Sequence, residues 1–268
     1  GQWDMMVALI EKYGVVPQSA MPETYNSSKS REINEVLNHQ LRHDAVILRQ
    51  LVNDYGVEDE RINQTRQEML NRVYRMLALA FGEPVQSFDF EYRDKKSKEF
   101  HRAANLTPQE FFTKYVGWDL DQYVSIIQAP TADKAYHQTY TIEMLGNVVG
   151  GRPIKHLNLP VDEFKALAIK QLQGGESVWF GSDVGKYSET KLGLMDLNTY
   201  HYEELFNTEL TMSKADMLDY GQSMMTHAMV LTGVDLVDGQ PTKWKVENSW
   251  GNKVGTKGYF VMSDAWLD

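Results

Sequence analysis

Residues 226–251 hold two runs in which apolar and polar side chains alternate, and between the runs stands Asp238-Gly239. Alternation with a period of two marks a strand with one buried face. An Asp-Gly pair between two such runs is a strong hairpin signal, because both residues tolerate positive φ. A two-residue turn there fixes the register: without a bulge, Val230 faces Glu247, Met229 faces Asn248 and His227 faces Trp250. On the second strand Trp244, Val246, Asn248 and Trp250 share one face, and Lys243, Lys245 and Glu247 share the other. The charged face belongs to water, so Asn248 is placed on the apolar side. It is then diagonal to His227, roughly 7–8 Å away at the backbone. A buried amide left unpaired costs about 1–3 kcal/mol, and His227 is the partner at hand.

The earlier part of the chain follows another period. Trp3, Met6, Val7 and Ile10 lie on one helical face, closed by Gly14 as a C′ glycine. Pro17 and Pro22 bracket an irregular link, and residues 26–30 offer helix caps. Ile33, Leu37, Leu41, Ala45, Leu48 and Val52 recur at helical spacing up to Gly56, and a second helix runs from near Glu58 to Phe81, before Gly82 and Pro84. This predicts a long antiparallel helix pair. Thr107-Pro108-Gln109-Glu110 is a capping box with proline at N1, opening a short helix that Gly117 closes. A further helix spans residues 161–173 and ends at Gly174-Gly175, and residues 177–180 are strand-like. Helices come first and strands predominate later, which is an α+β order.

Composition limits the function classes. The 268 residues are 42% hydrophobic, enough for one large domain or two packed lobes. A formal net charge of -10 repels phosphate backbones and anionic membranes, so neither nucleic acid nor membrane is expected as a partner. No apolar run reaches membrane-span length, and the start is not a signal peptide. The basic strip from Arg93 to Lys98 is interleaved with Asp94 and reads as a solvated face. Zero cysteine excludes disulfides, thiolate metal sites and a thiol nucleophile within these residues.

His227 beside Asn248 has a specific chemical use. An amide oxygen that accepts the proton of one imidazole nitrogen fixes the tautomer and leaves the other nitrogen aimed at a nucleophile. Trp250 is placed to keep water off that bond. Other candidates are weaker. His39 and His43 stand at i, i+4 without the metalloprotease glutamate between them or an evident third ligand, so no metal is expected. Gly251, Gly255 and Lys257 lack Walker spacing, and His156 and His201 have no partner in the pattern.

Thr226-His227-Ala228 and Asn248-Ser249-Trp250-Gly251, followed by Gly255 and Gly258-Tyr259, resemble the histidine and asparagine blocks of papain-like cysteine peptidases. The opening residues 1–5 and the run 11–17 resemble the glycine wall and following helix of that superfamily. Residues 174–181, 191–194, 225–229 and 245–251, with the long helical insertion, look like the bleomycin hydrolase/aminopeptidase C branch. The resemblance implies a papain-like two-lobed fold. Residues 1–22 would be the remnant of the helical lobe, 23–150 the helical insertion and 151–268 the β-rich lobe. It implies a cysteine aminopeptidase that needs no cofactor, with His227 as acid–base and Asn248 as its orienter. Gly1, Val178, Thr226, Ala228 and Trp250 would line the substrate cleft. It further implies peptide substrates, a cytoplasmic location and a homohexamer.

The family's nucleophilic cysteine and oxyanion-hole glutamine would precede the position matching Gly1, and its C-terminal arm would follow Asp268. These departures read as truncation at both ends, so these residues alone are expected to be inactive, since covalent catalysis has no first step without a thiolate. A rival reading is a non-catalytic papain-like binding or assembly subunit that keeps the cleft without the nucleophile. A third is a helical scaffold in which His227 and Asn248 are structural.

Overall fold

A computed structural model describes residues 2–268, which divide into two compact units. Residues 9–119 form one, and the residues up to Ala8 join Leu120–Asp268 in the other.

Helix α1 (Trp3–Tyr13) ends as its sequence predicts, with the Gly14 N–H donating to Ile10 O at 2.8 Å and Gly14 at φ +72°. A Cβ on Gly14 would stand 2.2 Å from the carbonyl carbon of Pro108, so only glycine allows this crossing. Capping of the next segment differs from expectation. Thr24, outside the predicted 26–30 cap region, caps a short α2 (Tyr25–Ser28) through a capping box with Ser27. Asn26 instead donates to Ala80 O at 3.1 Å. Helices α3 (Arg31–Tyr55) and α4 (Glu60–Phe81) each end at a glycine with positive φ, Gly56 and Gly82. Thr24 and Asn26, just before α3, bond the last turn of α4, so the pair is antiparallel. The inward face of α3 differs from the predicted one: Leu41 and Ala45 are exposed, and Asp44 is buried with its carboxylate accepting from Gln40 at 2.8 Å. Over seven helical steps Leu37, Asp44 and Leu51 align, which carries the contact stripe past Leu41.

Strands β1 (Phe88–Arg93) and β2 (Phe100–Leu106) form an antiparallel hairpin beyond the expected elements, with Phe88, Phe90 and Tyr92 alternating with Asp89, Glu91 and Arg93 along β1. The basic strip is its turn, where Asp94 accepts the N–H groups of Lys96 and Ser97. Helix α5 (Pro108–Phe111) opens with the predicted Thr107–Glu110 box and runs on as a π-helical turn to Gly117. Its Phe111 packs edge-on against Phe88 and Phe90 of the hairpin.

In the other unit, β3 (Ser125–Ile127), β4 (Thr139–Tyr140) and β5 (His156–Asn158) make a small sheet in the order β3-β5-β4. Fully buried Asn158 braces the intervening loop, bonding Ala129 N, Ala129 O and Lys134 O, each at 2.9 Å. Residues 120–150 belong with the β-rich unit because β3 and β4 pair with β5. Residues 9–22 belong with the helical unit, where Val15 N–H donates to Pro108 O at 3.2 Å.

Helix α6 (Val161–Gln173) leads to the main sheet, whose strands are β6 (Val178–Ser182), β7 (Ser188–Glu189), β8 (Leu194–Met195), β9 (His227–Val237), β10 (Gln240–Glu247) and β11 (Tyr259–Ser263). Between β8 and β9 lie short helices α7 (Tyr202–Phe206) and α8 (Lys214–Asp219), and α9 (Asp264–Leu267) follows β11. The sheet order is β6-β9-β10-β11-β8-β7, antiparallel except at β11–β8. One face buries Phe180, Met195, Met229, Leu231, Trp244, Val246, Phe260 and Met262, with Ala168 of α6 packed on it. Each such large apolar side chain contributes about 1.5–3 kcal/mol when taken out of water. The Trp244 indole N–H is satisfied by Asp264 at 3.0 Å, and that carboxylate also receives the Lys165 ammonium at 2.7 Å.

The β9–β10 register departs from the simple hairpin and then returns to it. Gln240 and Pro241 pair with Val237 and Leu236, but Trp244 pairs with Val234, one step out of line. The ladder regains the predicted pairing at Glu247–Val230. Thr242 is the extra residue on one strand and Thr232 the extra residue on the other. Their hydroxyls fill the gaps: Thr242 donates to Asp235, and Thr232 reaches Lys245 O at 3.4 Å. Two opposed bulges cancel, so the far end of the hairpin is aligned as if there were none.

Candidate active site

His227 is the first residue of β9, and Asn248 directly follows β10, one step beyond the last ladder pair. Both continue the core-facing parity of their strands, His227 with Met229 and Leu231, Asn248 with Trp244 and Val246. They meet where that face runs out: His227 Nε2 lies 2.9 Å from Asn248 Oδ1, and Asn248 is 8% exposed.

Backbone contacts fix which atoms these are. Ser249 N–H donates to the same Oδ1 at 2.8 Å. A backbone N–H can only donate, so the amide must present its oxygen there, and the imidazole nitrogen facing that oxygen must carry the proton. Nε2–H is therefore the donor, and Nδ1 keeps its lone pair. Among the described residues, no protein group hydrogen-bonds Nδ1. Asn248 N–H in turn donates to Gly258 O at 3.1 Å. That return path needs glycine at 255: its φ is +53°, and a Cβ would stand 2.4 Å from Tyr259 O. The other amide atom, Asn248 Nδ2, is buried with no hydrogen-bond partner among the described residues, a cost of about 1–3 kcal/mol.

The Trp250 indole stacks on the imidazole with centroids 4.9 Å apart and planes 28° from parallel, and Phe260 meets its edge at 6.0 Å. Trp250 is 42% exposed, so the indole stands between the ring and solvent. On the other side, Ser182 of β6 pairs with His227, and Thr226 N–H donates to Ser182 O at 3.0 Å.

The remaining predicted residues are placed unequally. Thr226 is exposed beside the histidine, with its hydroxyl 3.4 Å from Ser182 O and 3.5 Å from Asp183. Ala228 pairs with Gly181 on the face of the sheet opposite His227. Val178 is not brought to the site: it pairs with Leu231 and packs against the core. Strand parity turns the neighbouring Trp179 to the other face, where it lies 6.2 Å from Trp3. Gly1 lies outside the described residues.

Sequence reasoning missed Asp183 and Ser223, whose side chains meet at 3.0 Å just ahead of the histidine strand. Nothing in their spacing signals a contact across 40 positions. The rival candidates stay apart from one another. His39 and His43 are exposed, and no cluster suited to a metal occurs among the described residues. His156, given no partner by the pattern, is buried and bonds Ser125 at 2.7 Å. A depression of about 320 Å³ lined by Met5, Ile142, Asn147 and Val148 includes none of the predicted site residues.

The model of the Peptidase C1-like family matches residues 1–268. The chain belongs to that family. It is 56% identical over 268 residues to an aminopeptidase C of Lactobacillus helveticus, covering all of this chain and 59% of that protein. Aminopeptidase C of Lactobacillus delbrueckii subsp. lactis is 54% identical, again with 59% of its length covered. The crystal structure of PepW from Lactobacillus rhamnosis HN001 (DR20) superposes with a TM-score of 0.95 at 66% identity, over 100% of this chain and 60% of that one. The chain thus spans about three-fifths of the length of these relatives. The resemblance to the bleomycin hydrolase-like branch of the papain superfamily holds, and so does the mixed α+β papain-like fold.

Proposed function

We propose that this chain carries the acid–base half of a cysteine aminopeptidase of the bleomycin hydrolase type. The observation that carries the reading is the 2.9 Å His227–Asn248 contact with its amide orientation locked by Ser249 N–H. Nε2 is committed to Asn248, so Nδ1 is the nitrogen left to exchange a proton with a thiol. The thiol belongs to a cysteine that these 268 residues do not contain.

In the proposed reaction Nδ1 takes the thiol proton, and the thiolate attacks the carbonyl carbon of the N-terminal residue. The imidazolium then gives that proton to the departing amine as the C–N bond breaks, leaving an acyl-enzyme. A water molecule next gives its proton to Nδ1 and its oxygen to the acyl carbon, and the thiol is restored with the carboxylic acid released. Asn248 holds the ring in plane throughout, and Trp250 keeps water from the Nε2–H bond. Gly1, Thr226 and Trp250 are proposed to line the cleft for peptide substrates. The homohexamer and cytoplasmic location rest on the family resemblance alone.

The test is hydrolysis of aminoacyl fluorogenic amides by the protein together with its nucleophile. Activity should vanish on thiol alkylation and in His227→Ala. Hydrolysis surviving either treatment overturns the reading.

A further inference from the structure

The segment that delivers the chain to His227 is irregular. Between α8 and β9, residues 222–226 form no regular element, and Tyr220, Met224 and Met225 are largely exposed. Among the described residues its backbone N–H groups are tied at Ser223, to Met217 O at 3.0 Å, and at Thr226, to Ser182 O at 3.0 Å. Met225 lays its thioether on Gly181 of β6, and Asp183, just past that strand, links the two tied ends. The Asp183 carboxylate accepts the Ser223 hydroxyl on one oxygen at 3.0 Å, and its other oxygen lies 3.5 Å from the Thr226 hydroxyl. Asp183 directly follows Ser182, the residue paired with His227.

We propose that Asp183 is a positioning residue for the acid–base histidine, clasping the 223–226 segment to the end of β6 so that His227 enters β9 at a fixed place. The inference deepens the proposed function and rests on it. Downstream, His227 is fixed by strand pairing and by Asn248. Upstream, one side chain with two polar atoms reaches both ends of the segment, Ser223 and Thr226, and so limits how far it can fray. The imidazole must meet a sulfur with sub-ångström tolerance, and a 1 Å misplacement costs on the order of a hundredfold in rate.

The experiment compares Asp183→Ala, Asp183→Asn, Ser223→Ala and the Asp183→Ala/Ser223→Ala double variant, each assayed on aminoacyl amides in the protein with its nucleophile. All are assayed below the onset of melting seen by circular dichroism. Asp183→Ala should lower kcat by roughly 10–100-fold while KM moves less than about threefold. Asp183→Asn should restore most of the rate, because an amide can accept from one hydroxyl and donate to the other. Ser223→Ala should reproduce much of the loss, and the double variant should be no worse than Asp183→Ala, since both changes break one contact. An unchanged kcat in folded Asp183→Ala overturns the inference. So does an Asp183→Asn variant as impaired as the alanine, because charge rather than the clasp would then be responsible. A wild-type protein that hydrolyses nothing sinks the proposed function instead. The clasp is then judged by nitrogen-15 spectra of His227, whose ring signals should broaden or split in Asp183→Ala and stay sharp if the inference is wrong.

Discussion

Replacing Asn248 by alanine separates what the amide does for the fold from what it does for the imidazole. The change removes one acceptor that serves two donors, His227 Nε2–H at 2.9 Å and Ser249 N–H at 2.8 Å. Two such bonds contribute about 1 kcal/mol each. The same change deletes Nδ2, a buried donor with no partner among the described residues, whose retention costs about 1–3 kcal/mol. These terms nearly offset. Global stability should therefore change by no more than about 1 kcal/mol, a shift of roughly 2–4 °C in Tm for a chain of this size. The ring has no such compensation. Losing about 1 kcal/mol of preference removes a roughly fivefold bias toward the Nε2–H tautomer and frees the ring to turn. Long-range proton–nitrogen correlation spectra recorded at alkaline pH read this directly. Wild-type His227 should show a protonated Nε2 and an unprotonated Nδ1, and in Asn248→Ala the two signals should move toward a common average. A wild-type ring protonated at Nδ1, or an Asn248→Ala ring with unmoved signals, refutes the argument that the amide sets the tautomer.

Trp250→Ala should leave the His227–Asn248 bond formed but uncovered, so the Nε2 proton exchanges with water faster; unchanged exchange would mean the stacked indole, worth about 0.5–1.5 kcal/mol, does not shield it. Burial holds His156 below its ordinary value of 6.5, with the Asp4 carboxylate opposing in part. The unfolded chain then binds the extra proton first, so stability is full above about pH 6.5 and is lost as pH falls through the folded-state value. His156→Gln should flatten that acid limb of the urea midpoint, and parallel curves for the two proteins would contradict it. Gly255→Ala forces a Cβ to 2.4 Å from Tyr259 O at φ +53° and should cost roughly 2–5 kcal/mol in urea unfolding. Gly239→Ala, with positive φ but open space, should cost about 1 kcal/mol, and equal losses would show that the close approach is unimportant.

Local rules accounted for the elements whose causes are local. Gly14, Gly56 and Gly82 end helices because each can take positive φ at no steric cost, and Thr107-Pro108-Gln109-Glu110 caps a helix with its own atoms. Alternation around Asp238-Gly239 placed Asn248 on the buried face beside His227, since charged Lys243, Lys245 and Glu247 fix which face meets water. The alternation of Phe88, Phe90 and Tyr92 with Asp89, Glu91 and Arg93 marks β1 locally, whereas the three-stranded sheet and the packing of the β1–β2 hairpin were not legible. Strands of two or three residues carry no measurable period, and Phe88, Phe90 and Phe111 cluster only after the chain has turned back.

What the sequence determined by itself was parity: which side chains share a face, and hence that His227 and Asn248 stand on one side of one hairpin. Tertiary structure decided everything that depends on a second strand or a distant backbone atom. The bulges at Thr232 and Thr242 cancel because each strand's extra residue is compensated by the other, which neither strand specifies alone. Val178 faces the core and Asp183 reaches Ser223 because β6 pairs with β9 in one register, a choice made by packing across the whole sheet. The tautomer of the histidine likewise follows from a backbone N–H meeting an amide oxygen, a contact that exists only once the loop to Gly258 has closed.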